Sequence, residues 1–489
     1  MNKIIYRLNQ LFEGKTAIIV ALCLFVLLIL SSGLKYDLNE WDESRLGSNC
    51  YEMHLNHDYI NLYYNGKPDT WIAKPVLLNW LILISSNVLG FNELSLRLPT
   101  YLATIALVYF LMRLIQQYEG TKTAFITSLI LLTSKTLLGW HSGLTGDYDM
   151  TLTLFLTLSI SSFLQYIETK NPKQLFLFAV FTGLAFYTKG TAAFIFIPGI
   201  AAYLIIKRKF ILVVKTREFL IASLILLVFV LSWVLLLLIL GNHFDSSFYG
   251  SNNAVSILFF DDTFRRITDN SFQDKTGNNP FFVFVAMDVR LNLWNYIFYI
   301  ILFALTVRLL INTKSKTDKA SSTTSELIEL SFCITIPVFL LLSISKTQHD
   351  WYLIPCFVFI AYIIAHYIVV AYVKYRPILI GFTLLTCFTL SRHAYYIYSQ
   401  PTIIHKTLNR NNPVLKNAKR IVSVGMPKHH IFLYLQWMQM KVITLQNTQT
   451  LSEQKGELLL LCNGQLKDIP LQQIHIMQRF DEFVIARIN

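Results

Sequence analysis

Long apolar runs alternate with short polar segments along most of this chain. Crossing the hydrocarbon core of a bilayer takes about 20 apolar residues, with a range of roughly 17–25. The runs that approach this length are 17–33, 98–112, 124–139, 150–166, 174–188, 190–206, 219–241, 294–312, 327–345, 352–373 and 377–391. Flanking residues extend the shorter runs, so the pattern predicts a polytopic all-α membrane protein with about 11–13 transmembrane helices.

The polar segments differ in their content of basic residues. If the N-terminus is cytoplasmic, the inner segments hold 18 Lys and Arg in about 70 residues, and the opposite segments hold 11 in about 130. Short cytoplasmic segments carry an excess of Lys and Arg. We therefore expect a cytoplasmic N-terminus and an extracytoplasmic C-terminal region.

Two domains follow from this pattern. Residues 1–395 form the predicted membrane domain, in which 34–97 and 242–293 are long extracytoplasmic loops. Within the first loop, 76–89 is predicted to be a short helix at the membrane surface. Residues 400–489 become more polar and contain β-prone runs at 421–424, 441–445, 457–462 and 482–487, with helical spacing over 429–440. Alternating strands and helices predict a small extracytoplasmic α/β domain there.

Composition supports the membrane class. The chain has 489 residues, of which 54% are hydrophobic and 15% charged, whereas soluble domains hold about 25% charged residues. The net charge of +13 is explained by basic residues that flank membrane helices. We therefore expect membrane lipids among the partners and no nucleic acid.

The first long loop contains the most informative charges. Asp42 and Glu43 are adjacent carboxylates, followed by Arg45, Lys67 and Lys74, and both lysines precede a proline. Ionisable groups beside hydrocarbon are costly and are usually functional. The carboxylates can bind a metal, act as a general base or begin a helix, where the macrodipole favours them. A lysine at this boundary can bind a lipid phosphate or extend toward water.

Several motifs resemble those of one enzyme family, and they occur in the family's order over residues 36–356. They are Trp41-Asp42-Glu43-Ser44-Arg45, Gly66-Lys67-Pro68, Lys74-Pro75, Gly90-Phe91-Asn92-Glu93 with Arg97-Leu98-Pro99, Gly146-Asp147-Tyr148-Asp149, and the segments 183–190 and 346–355. This set resembles the bacterial aminoarabinose transferases that act on lipid A and the related protein O-mannosyltransferases of the GT-C superfamily.

The resemblance implies a GT-C fold in a bacterial inner membrane, with a catalytic cavity that faces the extracytoplasmic side. The implied donor is a sugar on undecaprenyl phosphate, transferred with inversion to lipid A or to protein. By position, Asp42 matches the catalytic carboxylate, Lys74 the phosphate-binding lysine, and Asp149 and Tyr352 residues of the cavity. Ala73 departs from the acidic metal-binding residue of some lipid A transferases, so no metal ligand is assigned and a divalent metal remains open.

The chemistry of the reaction points to further residues. Transfer from a phosphate-linked sugar builds negative charge on the departing phosphate, which cations stabilise most strongly in the transition state. The candidates for this role are Lys74, Arg265, Arg266, Lys346 and His349. We expect Arg45, Lys67, Asp149, Lys189 and Tyr352 to line the substrate cavity.

The role of the carboxylates depends on the acceptor. A hydroxyl acceptor needs a base, for which Asp42, beside Glu43, is the candidate. A phosphate acceptor needs no strong base, and Asp42 would then orient the acceptor or stabilise the anomeric carbon. The sequence leaves both roles open.

The alternative function is transport or flipping of a polyprenyl-linked sugar. Transporters commonly contain repeated halves and broken helices at mid-membrane. This sequence shows no such repeat, and its ionisable residues cluster in the predicted outer loops. These features favour the transferase.

Overall fold

The computed structural model describes most of the chain. The described residues are 6, 10, 12–14, 16–33, 37–69, 74–241, 253–268, 279–312, 325–399, 408, 412–446, 451, 453–462, 465–480 and 483–489.

Helices dominate the described residues before position 400. The helices in the first half are α1 (Ala17–Gly33), α2 (Asp42–Asn56), α3 (Leu77–Leu89), α4 (Glu93–Leu132), α5 (Tyr148–Thr169), α6 (Pro172–Lys189), α7 (Ile197–Ile206), α8 (Phe210–Val214) and α9 (Arg217–Leu240). Those that follow are α10 (Ala254–Ser256), α11 (Arg266–Thr268), α12 (Phe282–Leu291), α13 (Trp294–Asn312), α14 (Glu326–Ile344), α15 (Ile354–Lys374) and α16 (Ile378–Ser399). A π-helical segment, Ile257–Arg265, joins α10 to α11.

The predicted membrane class is confirmed. Within the described ranges, six helical segments are long and apolar enough to cross a membrane: Glu93–Leu132, Tyr148–Thr169, Pro172–Phe194, Arg217–Leu240, Glu326–Ile344 and Asp350–Lys374. Shorter apolar helices add Ala17–Ser31, Leu77–Leu89, Ile197–Ile206, Trp294–Arg308 and Ile378–Arg392.

Helix α4 contains one predicted apolar run and the first part of the next. Runs 98–112 and 124–139 are joined across Gly120, where the backbone is non-helical with φ 85° and ψ 171°. Positive φ at this angle favours glycine, since it has no Cβ. Gly120 therefore lets two helical arms meet at a bend.

The chain divides into two compact units. The bundle unit contains Met1–Gly33, Thr70–Leu81 and Arg97–Ser399. The loop–sheet unit contains Leu34–Asp69, Ile82–Leu96 and Gln400–Asn489. The first half of the long loop thus belongs to the same compact unit as the C-terminal region, a grouping that the sequence pattern does not indicate.

The loop–sheet unit contains the expected α/β structure. A hairpin is formed by β1 (Tyr63–Tyr64) and β2 (Lys67–Pro68). The C-terminal elements are β3 (Arg420–Val424), α17 (His429–Trp437), β4 (Lys441–Leu445), β5 (Leu458–Cys462), β6 (Ile474–Arg479) and β7 (Phe483–Ile488). The strand order is β4-β3-β5-β7-β6, parallel across β4, β3 and β5 and antiparallel across β5, β7 and β6.

The core of this sheet explains why its strands are visible in the sequence. Val422, Leu459, Leu461, Ala486 and Ile488 are buried together. Four strands coincide within one residue with the predicted β-prone runs. The fifth, β6, alternates buried and exposed positions and ends in Gln478 and Arg479, so its apolar signal is weak.

Gly199 permits a close approach of α7 and α14. A Cβ at Gly199 would lie 2.4 Å from the Cα atom of Ile334 and 2.5 Å from the carbonyl oxygen of Cys333. Both contacts are to backbone, which cannot rotate away. Small residues at such points let membrane helices pack closely.

We predict that Gly199→Ala destabilises the bundle by about 1–3 kcal/mol, because overpacking must push the two helices apart. Thermal unfolding in detergent should show a lower midpoint. Gly381→Ala in α16 is the matched control, since a Cβ there meets no atom within 4 Å. Equal midpoints for the two variants would contradict this account of α7 packing.

Candidate active site

The start of α5 concentrates carboxylates in the bundle unit. Asp147 caps the helix, and its Oδ1 accepts a hydrogen bond of 2.7 Å from the backbone N–H of Tyr148. Asp149 lies in the first turn and is 1% exposed. Carboxylates at a helix N-terminus are stabilised by the macrodipole and the unpaired N–H groups. The local sequence therefore accounts for the position of both side chains.

A buried ion pair joins α5 to the end of α6. The Nζ atom of Lys189 lies 2.6 Å from Oδ1 of Asp149, and the lysine side chain is 10% exposed. The same Nζ lies 5.5 Å from the ring centroid of Tyr352. A buried charge is tolerated when its partner is in place. Three predicted cavity residues are thus brought together.

Gly190 allows the chain to turn directly after Lys189. Its φ is +60°, and a Cβ there would lie 2.7 Å from Cδ1 of Leu258. The backbone angle and the space both favour glycine at this position. The turn fixes Lys189 at the helix end.

Lys74 lies against α5 in the same unit. Its Nζ is 4.6 Å from the ring centroid of Tyr148, a cation–π distance. The Tyr148 hydroxyl donates a hydrogen bond of 3.4 Å to Oδ1 of Asn79. The predicted phosphate-binding lysine is therefore placed beside the carboxylates of α5.

His141 is a partner of Asp147 that the sequence did not single out. Its Nδ1 shares a hydrogen bond with Oδ2 of Asp147. Burial alone would raise the pKa of the Asp147 carboxyl, but the charge and hydrogen bond of His141, followed by the charges of Lys189 and Lys74, lower it below its ordinary value. We call these residues and Asp149 the bundle cluster: Lys74, His141, Asp147, Asp149 and Lys189.

The rings of His141, Trp351 and His349 form a stack that begins in the bundle cluster. The ring of Trp351 stacks on His141 with centroids 3.9 Å apart, and on His349 with centroids 4.3 Å apart. Tyr352 meets His349 edge to face at 5.2 Å. His349, which we expected to bind phosphate, is thus held in its orientation by stacking on Trp351.

Arg290 connects the segments that carry these rings. It is 2% exposed and forms an ion pair with Asp350. Its Nη1 also donates to the carbonyl oxygen of Trp140 at 2.5 Å. One buried guanidinium thus fixes both the residue before His141 and the residue before Trp351.

The other predicted cations lie in neighbouring segments of the bundle unit. Arg265 pairs with Asp261 at 3.0 Å, and its side chain is 45% exposed. The backbone N–H of Lys346 donates to the carbonyl oxygen of Ile267 at 3.2 Å. Arg266 begins α11, and its side chain lies outside the described residues, as does Ala73. Phosphate binding by these cations stays a prediction.

Asp42 and Glu43 begin α2 in the loop–sheet unit, in agreement with the helix-start interpretation of these carboxylates. Glu43 is 1% exposed, and its Oε2 accepts a hydrogen bond of 2.8 Å from the backbone N–H of Asn39. Asp42 is half-buried. Glu43 therefore anchors the segment that leads into the helix, and a catalytic role for Asp42 stays a prediction.

The two predicted cations of this loop have different environments. Arg45 binds Asp69 through two hydrogen bonds of 2.9 and 2.7 Å, a bidentate geometry that fixes the guanidinium. Asn49 donates to the same carboxylate at 3.0 Å. Lys67 is exposed on β2. Roles for Arg45 and Lys67 in a substrate cavity stay predictions.

His141 and Asp147 are the donor types that divalent metals accept. Their contact in the bundle unit offers two such donors side by side.

Sequence reasoning missed His141, Trp351 and Arg290 as parts of this site. Trp351 stands inside the 346–355 motif, and His141 lies in a short predicted loop between apolar runs. Both residues could therefore have been recognised as candidates from their positions in the sequence. Nothing in the local sequence marks Arg290 as a site residue, because its partner Asp350 is 60 residues away.

Comparisons with known proteins agree with this architecture. A family model described as dolichyl-phosphate-mannose-protein mannosyltransferase matches residues 73–234. The crystal structure of ArnT from Cupriavidus metallidurans bound to undecaprenyl phosphate aligns with a TM-score of 0.71 and 14% identity, over 97% of this chain and 98% of that chain. The chain therefore has the fold of this ArnT structure. The resemblance expected from the ordered motifs is confirmed.

Two curated relatives match part of the chain. An undecaprenyl phosphate-alpha-4-amino-4-deoxy-L-arabinose arabinosyl transferase of Shewanella sediminis is 30% identical over 186 residues, 36% of this chain and 32% of that protein. An uncharacterized protein of Aquifex aeolicus is 26% identical over 162 residues, 32% of this chain and 31% of that protein. The matched stretches span about a third of either relative.

We predict that breaking the Lys189–Asp149 ion pair of the bundle unit from one side costs about 3–5 kcal/mol, because the remaining charge is buried without a partner. Asp149→Asn and Lys189→Met should each lower the unfolding midpoint in detergent. The double variant should recover most of the loss, since neither charge then remains. A double variant as unstable as the sum of the singles would contradict the pairing.

His429 in α17 generates a pH prediction for the loop–sheet unit. Its Nδ1 lies 2.5 Å from the Tyr64 hydroxyl. Burial, followed by the charge of Arg45, lowers the pKa of the ring to about 4; His430 also lowers it and Asp69 opposes them. The ring therefore stays neutral in the folded protein, whereas in the unfolded chain it takes up a proton near pH 6.5.

Because the unfolded state binds more protons in that window, His429 should reduce stability as the pH falls from 6.5 toward 4. Unfolding midpoints measured from pH 7 to 4.5 should drop more steeply for the wild type than for His429→Asn, which cannot titrate there. Equal pH slopes would show that the ring titrates normally in the folded state.

Proposed function

We propose that this protein transfers a sugar from a polyprenyl-phosphate carrier to an acceptor on the extracytoplasmic face of a bacterial inner membrane. The observation that carries the proposal is the buried Lys189–Asp149 pair, beside Tyr352 and in one cluster with Lys74, within a GT-C fold. The relative named as an arabinosyl transferase of an undecaprenyl-phosphate sugar supports the choice of donor.

The bundle cluster suits a departing phosphate. When the bond between the sugar and the phosphate oxygen breaks, the anomeric carbon becomes positive and the phosphate gains negative charge. Cations held in place before the reaction stabilise that charge without reorganising. Lys189 is held by Asp149 and Lys74 by the face of Tyr148. We assign the donor phosphate to these two lysines, with Arg265, Lys346 and His349 as further candidates.

Asp42 is proposed as the group that acts on the acceptor. A hydroxyl acceptor must lose its proton as it attacks the anomeric carbon from the side opposite the phosphate, and a carboxylate can accept that proton. Glu43 is buried and Asp42 is half-buried, so we assign the role to Asp42, the residue that matches the catalytic carboxylate of the resembling family by position. Attack from the opposite side inverts the anomeric centre.

The proposed acceptor is lipid A or a surface protein, both of which present nucleophilic oxygens at the outer face. The N-terminus is proposed to be cytoplasmic, on the basis of the basic residues in the predicted inner segments. No nucleotide takes part in the transfer, because the carrier phosphate is the leaving group.

A direct assay separates transfer from transport. Purified protein in proteoliposomes would receive radiolabelled polyprenyl-phosphate sugar, with lipid A or candidate proteins in parallel samples. We expect the label to move to one acceptor class. Label that crosses the bilayer but stays on the polyprenol with every acceptor would instead identify a flippase.

We predict that Asp42→Asn lowers the transfer rate by about 10²–10⁴-fold, the usual loss when a general base is removed. Lys74→Ala should also reduce transfer strongly, because one cation at the phosphate is lost. The rate of label transfer in the proteoliposome assay measures both. Lys173→Ala is the control, since this lysine is exposed at the start of α6. Wild-type rates in Asp42→Asn or Lys74→Ala would remove the corresponding assignment.

A further inference from the structure

Helix α17 of the C-terminal region is buried on all sides. His430, Ile431, Phe432, Leu433, Tyr434 and Leu435 are consecutive buried residues. Six residues cover more than one and a half helical turns, so they point in every direction around the axis. A helix that covers one face of a sheet normally keeps a polar face toward solvent. Something other than its own sheet therefore covers α17.

The covering element is α2, the helix that begins with Asp42. Gly47, in the middle of α2, faces Leu433, and a Cβ on this glycine would lie 2.5 Å from Cδ2 of the leucine. The two helices therefore meet where α2 has no side chain. The β1–β2 hairpin adds to this contact, because the Tyr64 ring lies 5.3 Å from that of Phe432.

A buried carboxylate ties the far end of α2 to α17. Glu52 is 5% exposed, and its Oε1 accepts from the Gln436 side chain at 2.8 Å and from the Asn65 backbone at 2.7 Å. Its Oε2 accepts from the backbone N–H of Gly66 at 2.9 Å. One side chain thus joins α2, the hairpin and α17.

His429 ties the near end. Its ring meets that of Trp41 edge to face, with centroids 4.3 Å apart, and its Nδ1 contacts the Tyr64 hydroxyl. Trp41 directly precedes Asp42. Trp41 and Glu52, which make these two contacts, are 11 residues apart, a distance of about 16 Å along a helix. Contacts at both ends and in the middle fix the tilt, rotation and axial position of α2.

We propose that α17 positions the Asp42 carboxylate by these contacts, and that His429 and Gln436 are positioning residues for transfer. The inference rests on the proposed function of Asp42. It gives the C-terminal α/β region a part in the reaction through its contacts with α2. Displacements of about 1 Å at a reacting group can reduce rates by about 10²-fold, so small movements of α2 should be measurable.

The test compares three histidine variants in the purified full-length protein. His429→Ala should lower kcat by about tenfold or more, while KM for the polyprenyl-phosphate sugar changes by less than about twofold. His429→Asn keeps a side chain that can hydrogen-bond the Tyr64 hydroxyl and should restore most of kcat. His475→Ala is the matched control, since this histidine is exposed on β6 of the same sheet.

Hydrogen–deuterium exchange gives a readout that does not depend on catalysis. In His429→Ala, amide exchange should rise in the peptide that contains Trp41 and the first turns of α2, while β3 and β5 keep wild-type protection. If His429→Ala unfolds the protein, Gln436→Met carries the test, because it removes a single hydrogen bond to Glu52. Amide exchange should then rise in the part of α2 around Glu52, and kcat should fall with KM for the donor nearly unchanged.

The outcomes separate the two proposals. Wild-type kcat and wild-type exchange of α2 in the testable variant would overturn the positioning role. A rise in α2 exchange in a protein that transfers no sugar, even as wild type, would support the positioning of α2 and reject the proposed function. A lower kcat without a change in α2 exchange would also overturn the inference.

Discussion

The constraint on which the bundle depends is the cost of burying charge beside hydrocarbon. Lys189 and Asp149 lie at the ends of two apolar helices, where neither charge is stable alone. Their pairing holds the end of α6 against the start of α5. Lys74, Tyr352 and the capping carboxylate Asp147 then take positions relative to these two helix ends. The candidate site is thus built on helix termini, and Lys189 and Lys74 are held in place by contacts within the protein.

A second layer of buried polar contacts supports this arrangement. Arg290 fixes the segments before His141 and Trp351 through Asp350 and the carbonyl oxygen of Trp140. Because a buried guanidinium must satisfy several donors, each of these partners is constrained by the others. The loop–sheet unit contains a similar arrangement, in which Glu52 accepts from three donors on two elements, the turn of the β1–β2 hairpin and α17. In each unit, one buried charged residue determines where several segments lie.

The extent to which the sequence predicts this structure depends on the range of each interaction. Periodicity located the apolar helices, the short helix α3 and four strands of the sheet, because burial follows local spacing. Helix-start chemistry explained Asp42, Glu43, Asp147 and Asp149. The partners of these groups were not predictable. Glu52 meets Gln436 across 384 positions, and the ring stack around Trp351 depends on two separate loops. Gly47, opposite Leu433, carries no pattern that marks a helix contact.

The central claim is that the sugar leaves its carrier phosphate and joins an acceptor with inversion. The most direct measurement follows both products of a single turnover, with mass spectrometry for free polyprenyl phosphate and NMR for the anomeric configuration of the product. The account predicts one polyprenyl phosphate released for each sugar gained by the acceptor, with the configuration opposite to that of the donor. Intact donor after incubation with every acceptor, or a product with retained configuration, would contradict it.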